Sequence, residues 1–163
     1  EEVHNAAEHP LEFKWETKDK IHLTLKFIGE IEEKLVEPIS SELEFVEKFS
    51  SFKCSISSFG FFFRNHEPKI LWFDLRSEGP FNPIVDELNQ RMEKFGIESE
   101  KRKFKAHLTL LRIKKKVSEK FIQRIKSYEF EKINFTANKI ALVQSQLSKE
   151  GARYKDLKTY ELN

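Results

Sequence analysis

The sequence predicts an α+β fold of two similar lobes related by a pseudo-two-fold axis, each an antiparallel β-sheet with helices packed outside. The tetrad His-Leu-Thr-Leu occurs twice, at 22–25 and 107–110, each time within a strand-like segment. Each copy is followed by a segment of helical periodicity and then by strand-like segments. Alternating elements of this kind are typical of α+β and α/β proteins. We expect the two tetrad strands to face a central cleft.

The first half of the chain alternates between strand and helix patterns. The predicted elements are a strand at 11–15, the first tetrad strand at 20–28, a helix at 32–48, and strands at 52–63 and 70–75. The helix is predicted because apolar residues recur every three or four positions, and the strands because polar and apolar residues alternate. Gly29 is expected to end the tetrad strand. The polar turn RNHEPK, which contains Pro68, is expected to join the last two strands.

The second half repeats this order and opens with a helix. Asn82 is predicted as its N-cap, Pro83 as its first residue and Gly96 as its end. The later elements are a strand at 97–104, the second tetrad strand at 106–113, a helix at 118–127, and strands at 129–135, 138–147 and 153–162. We therefore expect a single domain, 1–163, of two lobes, each built around one tetrad strand.

Composition bounds the class of protein. The 163 residues include 16 Phe and can bury a sizeable core. The net charge of +2 gives no global attraction to nucleic acid. The lone Cys54 fits a reducing compartment. The sequence has neither a signal peptide pattern nor the roughly 18 apolar residues of a membrane span. We expect a cytoplasmic monomer without membrane contact.

The repeated tetrad predicts acid-base chemistry. In a strand, the His and Thr of each copy face one way and the two Leu face the other. Two imidazoles, whose ordinary pKa lies near 6.5, can share proton transfer near neutral pH. An ancient duplication retained for packing alone remains the alternative.

Other chemistries fit less well. His4, His9 and His66 have no Cys or carboxylate pattern beside them, so no metal site is expected. Cys54 alternates with apolar neighbours and is predicted to be a small buried hydrophobe. The five Gly are not clustered, which excludes a P-loop. The basic runs 100–105 and 114–116 flank the second tetrad, either as a solvated surface or as a phosphate-facing patch.

Four segments together carry a family resemblance. They are KWETKDKIHLTLKFIG at 14–29, PKILWF at 68–73, FKAHLTLLR at 104–112, and the C-terminal SQLSKEGARYKDLKTYEL. The chain resembles the 2H phosphoesterase superfamily, and within it the bacterial and archaeal RNA 2',3'-cyclic phosphodiesterases once called 2'-5' RNA ligases. Such proteins usually begin with an apolar strand that is missing here, so we expect the sequence to be shorter than the natural protein.

The resemblance implies the roles of six residues. It makes His22 and His107 the catalytic pair, with Thr24, Thr109 and Arg112 binding the phosphate. It implies hydrolysis of RNA 2',3'-cyclic phosphate ends to 2'-phosphates without a metal or cofactor, with His107 as base and His22 as acid. The reverse reaction would be ATP-independent 2'-5' ligation. Phe27 stands three positions after its Thr, as Arg112 does, and is a candidate for base stacking.

Two alternative functions stay open. One is a related 2H phosphodiesterase acting on a small cyclic nucleotide, ADP-ribose cyclic phosphate or 2'-5' oligoadenylate. The other is a non-catalytic module that binds RNA ends. Besides Phe27, the aromatic residues 61–63 and Trp72 could stack on bases, although packing within the sheet is the favoured role for all of them.

Overall fold

The computed structural model describes residues 13–149 and 151–163. The helices in this part are α1 (Val36–Glu42), α2 (Phe81–Met92) and α3 (Glu119–Lys126), with 3₁₀ turns at Lys18–Lys20, Glu33–Leu35, Leu43–Lys48 and Glu93–Phe95. The strands are β1 (Phe52–Arg64), β2 (Glu67–Ser77), β3 (His107–Arg112), β4 (Ile133–Ala137), β5 (Lys139–Ser148) and β6 (Gly151–Glu161). One sheet has the order β3-β2-β1-β4, and β5 pairs with β6. The α+β class is confirmed, and the β2–β3 and β5–β6 pairs are antiparallel.

The first predicted helix and the hairpin after it are confirmed with one correction. The helical segment spans residues 33–48, with α1 flanked by 3₁₀ turns. The turn between β1 and β2 is shorter than predicted, because Asn65 and His66, with φ of 53° and 63°, suffice to reverse the chain. Two successive positive φ values suit the twist of a two-residue hairpin turn. Pro68 therefore lies in β2 and not in the turn.

The later helices are confirmed, with a shifted start for α2. Its N-cap is Pro80, not Asn82, because the Ile84 backbone N–H donates to the Pro80 carbonyl at 3.0 Å and closes the first turn earlier. Gly96, with φ of 74°, ends the helical segment as predicted. At α3, the Ser118 hydroxyl caps the helix by accepting from the Phe121 N–H at 3.0 Å.

Two predicted strands are wrong. Neither 20–28 nor 97–104 is paired as a strand within the described part of the chain. Alternation gives a segment two different faces, but a strand also needs a neighbouring backbone to complete its hydrogen bonds. Of the predicted strand at 11–15, residues 11 and 12 lie outside the described residues, and Trp15 makes a single bridge to Leu111. The last three strands are confirmed, β4 starting a few residues later than predicted.

The chain divides into two compact units. Among the described residues, the first comprises 13–24, Ser55–Arg76 and Ala106–Asn134, and the second comprises Leu25–Cys54, Ser77–Lys105 and Phe135–Asn163. Both His-Thr pairs belong to the first unit, since the boundary falls between Thr24 and Leu25. The two units therefore differ from the expected lobes, each of which was built around one tetrad.

The core of the first unit lies between α3 and one face of the sheet. The helix contributes Phe121, Ile122 and Ile125 to this cluster. The sheet contributes Phe61, Leu71, Leu110, Leu111 and Ile113. Because α3 covers this face, the side chains that alternate with these residues lie on the opposite face of the sheet.

The second unit packs helices and the β5–β6 hairpin around buried apolar residues. Tyr160 is fully buried in β6, and its hydroxyl donates to the Ser40 carbonyl of α1 at 2.7 Å. Cys54 is 2% exposed, and burial raises the pKa of its thiol. It is therefore a small hydrophobe, as predicted.

None of the helices described is long and apolar enough to cross a membrane.

Candidate functional site

The second tetrad lies in a strand that is held on both sides. In β3, His107 stands opposite Asp74 of β2, and Thr109 stands opposite Trp72. On the other side, the Glu16 N–H donates to the Leu110 carbonyl at 2.8 Å. Directly opposed residues in an antiparallel pair share a face. His107 and Thr109 therefore share the sheet face away from α3.

A β-bulge brings Arg112 to this same face. The register moves from Thr109 opposite Trp72 to Leu111 opposite Leu71, so Leu110 has no residue opposite it. In a regular strand, a residue three positions after Thr109 would face the other way. The extra residue restores the alternation, and Arg112 stands opposite Ile70 on the face of the His and Thr.

Aromatic rings surround the imidazole of His107. The ring of Phe62 meets it edge-on, with centroids 4.9 Å apart and planes at 86°. Trp72 is 6.1 Å away at 67° and is buried. The Trp72 ring lies against Gly60, where a Cβ atom would come within 2.2 Å of the indole. Gly60 thus makes room for the ring that packs against His107.

The first tetrad presents its histidine differently. His22 is exposed, and its Nδ1 lies 2.7 Å from the Lys20 carbonyl oxygen. A carbonyl oxygen can only accept, so Nδ1 is the donor in this hydrogen bond. Thr24 and both leucines of this copy, Leu23 and Leu25, are half-buried.

The other predicted site residues are placed as follows. Arg112 is exposed, and its Nε lies 4.0 Å from Glu16 Oε1, a loose ion pair. Phe27 is 73% exposed and lies in the second unit, where it lines an open cavity of about 460 Å³. It is thus not in the unit that contains both His-Thr pairs.

The remaining aromatic candidates are mostly structural. Phe61 and Trp72 are buried, as favoured from the sequence, and Phe63 is 50% exposed. The contact of Phe62 and Trp72 with His107 was not predicted from the sequence. The available signal was alternation along each strand, which places Gly60 and Phe62 on one face of β1 and Trp72 and Asp74 on one face of β2. Across residues 13–149 and 151–163, no three His, Cys, Asp or Glu side chains are grouped to hold a metal ion.

Comparison with known proteins identifies the class. The family model described as LigT like Phosphoesterase matches residues 1–72 and 75–154. An RNA 2',3'-cyclic phosphodiesterase of Archaeoglobus fulgidus is 31% identical over 145 residues, 88% of this chain and 80% of that protein. One of Thermotoga maritima is 28% identical over 144 residues, 88% of this chain and 76% of that protein.

Solved structures show the same fold. The protein TT0787 of Thermus thermophilus has a TM-score of 0.80 at 21% identity, covering 99% of this chain and 88% of its own. E. coli LigT complexed with 3'-AMP has a TM-score of 0.70 at 20% identity, covering 99% and 91%. The fold and the family model together define a phosphoesterase. More narrowly, the chain belongs to the LigT-like phosphoesterase family, which confirms the resemblance found in the sequence.

Proposed function

We propose that this protein opens RNA 2',3'-cyclic phosphate ends to 2'-phosphates, using two histidines and no metal ion. The observation that carries the proposal is the shared sheet face of His107, Thr109 and Arg112, which the bulge at Leu110 creates. The relatives of Archaeoglobus fulgidus and Thermotoga maritima, which are RNA 2',3'-cyclic phosphodiesterases, support the same substrate class.

Phosphate binding is assigned to the hydroxyls and the guanidinium. Thr24 and Thr109 donate hydrogen bonds to the non-bridging oxygens of the cyclic phosphate. Arg112 adds a charged donor that can bind two oxygens at once. These donors offset the negative charge that grows as water adds to phosphorus. A loose pairing with Glu16 at 4.0 Å leaves the guanidinium able to turn toward a phosphate.

Proton transfer is assigned to the two imidazoles. His107 takes a proton from the attacking water as the new P–O bond forms. The bond from phosphorus to the 3'-oxygen breaks, and that oxygen receives a proton from His22. The donating nitrogen is Nε2, because Nδ1 is bonded to the Lys20 carbonyl. The phosphate stays on the 2'-oxygen. When a 5'-hydroxyl replaces water as the attacking group, the same forward steps form a 2'-5' linkage without ATP.

The proposal is tested with an RNA oligonucleotide that ends in a 2',3'-cyclic phosphate. We expect full conversion in excess EDTA, with a 2'-phosphate product identified by phosphorus NMR. Loss of activity on chelation would contradict the metal-independent mechanism, and a 3'-phosphate product would contradict the assigned leaving group. Tight binding of the RNA without turnover would indicate a binding module instead.

Substrate class is resolved by parallel assays. A cyclic mononucleotide, ADP-ribose cyclic phosphate and a 2'-5' oligoadenylate are compared with the RNA at equal concentration. We expect the highest kcat/KM for the RNA. A higher kcat/KM for any of the three other compounds would make that compound's class the preferred substrate of the same ring-opening reaction.

A further inference from the structure

The strand that carries the second tetrad keeps its alternation one step beyond Arg112. The Ile113 N–H donates to the Lys69 carbonyl at 2.8 Å, which extends the pairing with β2 past the end of β3. Ile113 is 3% exposed and belongs to the core cluster under α3. Lys114 follows Ile113 just beyond the end of β3, and a continued alternation would place it on the face of Arg112.

Continued to Lys114, this alternation lines up four side chains along β3 in the first unit: His107, Thr109, Arg112 and Lys114. His107, Thr109 and Arg112 stand opposite positions 74, 72 and 70 of β2, so each lies two strand residues from the next. At about 3.3 Å per residue, Lys114 is about 7 Å beyond Arg112 and about 13 Å beyond Thr109. The long side chain of Lys114 extends this line of groups farther from the tetrad.

The line ends in positive charge. Lys114 is exposed and begins the run 114–116. The carboxylate of Glu67, which lies next to this run, is engaged by Lys69 at 2.5 Å, and Lys69 and then Lys116 lower its pKa. A substrate that reaches past Arg112 therefore meets a cation, and that favours an anionic group over a neutral or cationic one.

We propose that Lys114 binds the 3',5'-phosphodiester that precedes the cyclic end, so that the site prefers a polynucleotide to a cyclic mononucleotide. This inference rests on the proposed function, because it continues the phosphate site of Thr109 and Arg112. An RNA chain presents one phosphate for each nucleotide, and a lysine ammonium binds such a phosphate as a point charge. A cyclic mononucleotide has no second phosphate and gains nothing from Lys114.

The experiment compares two substrates in three proteins. The substrates are cytidine 2',3'-cyclic phosphate and a dinucleotide that ends in the same group. The proteins are the unchanged chain, Lys114→Met, and the matched control Lys115→Met, which removes the same charge one residue along. We expect Lys114→Met to lower the dinucleotide-to-mononucleotide ratio of kcat/KM by about three- to fivefold, the scale of one exposed charge pair. Lys115→Met should leave the ratio unchanged.

Salt dependence gives a second readout that a purely structural role would not change. For the dinucleotide, the slope of log kcat/KM against log salt should become shallower by about 0.7 in Lys114→Met, the value for one phosphate contact on a single strand. An unchanged ratio and slope in Lys114→Met would overturn the inference. An equal loss in Lys115→Met would also overturn it, because it would indicate only general charge attraction.

The outcomes separate this inference from the proposed function. If neither substrate is opened, the proposed function fails. If both are opened with equal kcat/KM, the function stands and the role of Lys114 fails. Calorimetric binding of the dinucleotide 2'-phosphate to the same three proteins tests Lys114 without turnover, and we expect the dissociation constant to rise about three- to fivefold only in Lys114→Met.

Discussion

The same four residues, His-Leu-Thr-Leu, occur in two different structural settings. At 107–110 they form a paired strand, with Leu110 in the core and rings packed around His107. At 22–25 they are not part of a described strand, both leucines are half-buried, and the histidine is exposed with its Nδ1 on a local carbonyl. Identical local sequence therefore does not determine how an imidazole is held. Aromatic rings pack around His107, whereas His22 is bonded to the nearby Lys20 carbonyl.

The largest expected effect is the loss of activity when either histidine is removed. It tests whether both tetrads take part in one reaction. His22→Ala and His107→Ala should each lower kcat/KM for the cyclic-phosphate RNA by at least about a hundredfold, the scale of acid-base catalysis. The pH profile should lose one limb in each variant and a different limb in the two. A single-histidine variant with full activity would show that only one tetrad is catalytic.

The next effect compares the leucines. Leu110→Ala should destabilise the protein by about 2–5 kcal/mol, because it empties space in a closed core. Leu25→Ala should cost about 1 kcal/mol, because that side chain is only half-buried. Urea unfolding gives both values. Equal losses would mean that the two copies are packed alike.

Two glycine substitutions test whether packing against Trp72 positions the His107 imidazole. Gly60→Ala places a methyl group against the Trp72 ring and should cost about 1–3 kcal/mol by overpacking. It should also lower kcat/KM, since that ring contacts His107. Gly29→Ala has no close neighbour but forces alanine to a φ of 85°, at about 1–2 kcal/mol. If Gly60→Ala loses stability and keeps its kcat/KM, Trp72 does not position the imidazole.

The smallest effect needs no substitution. Amide hydrogen exchange should be slow at Glu16 and Ile113, whose N–H groups bond to the strand or its partner. It should be faster across residues 22–28, which are in no described strand. Equal protection of the two segments, measured by NMR, would show that the first tetrad is also held in a sheet.

The two copies of the tetrad differ in how far the sequence could predict their structure. The second tetrad strand was predicted from its alternation and α3 from its apolar residues Phe121, Ile122 and Ile125, and in both cases the surrounding structure agrees with the local pattern. The first tetrad has the same alternation, but pairing depends on a neighbouring backbone that a local pattern does not specify.

Residue spacing alone could not predict on which face of the sheet Arg112 lies. Counting three residues from Thr109 would place it on the wrong side, and only the β-bulge corrects this. The available signal was the adjacent pair Leu110 and Leu111, two apolar residues in a row where alternation calls for one. Both are buried, which a regular strand with one covered face does not allow.

Cys54 gives the molecule a built-in reporter. It is the one cysteine in the sequence, it is 2% exposed in β1, and burial raises the pKa of its thiol. A thiol reagent can therefore react only when this strand opens. The labelling rate would record opening events around Cys54 in the natural sequence. The histidines, threonines and arginine assigned to chemistry would remain unmodified.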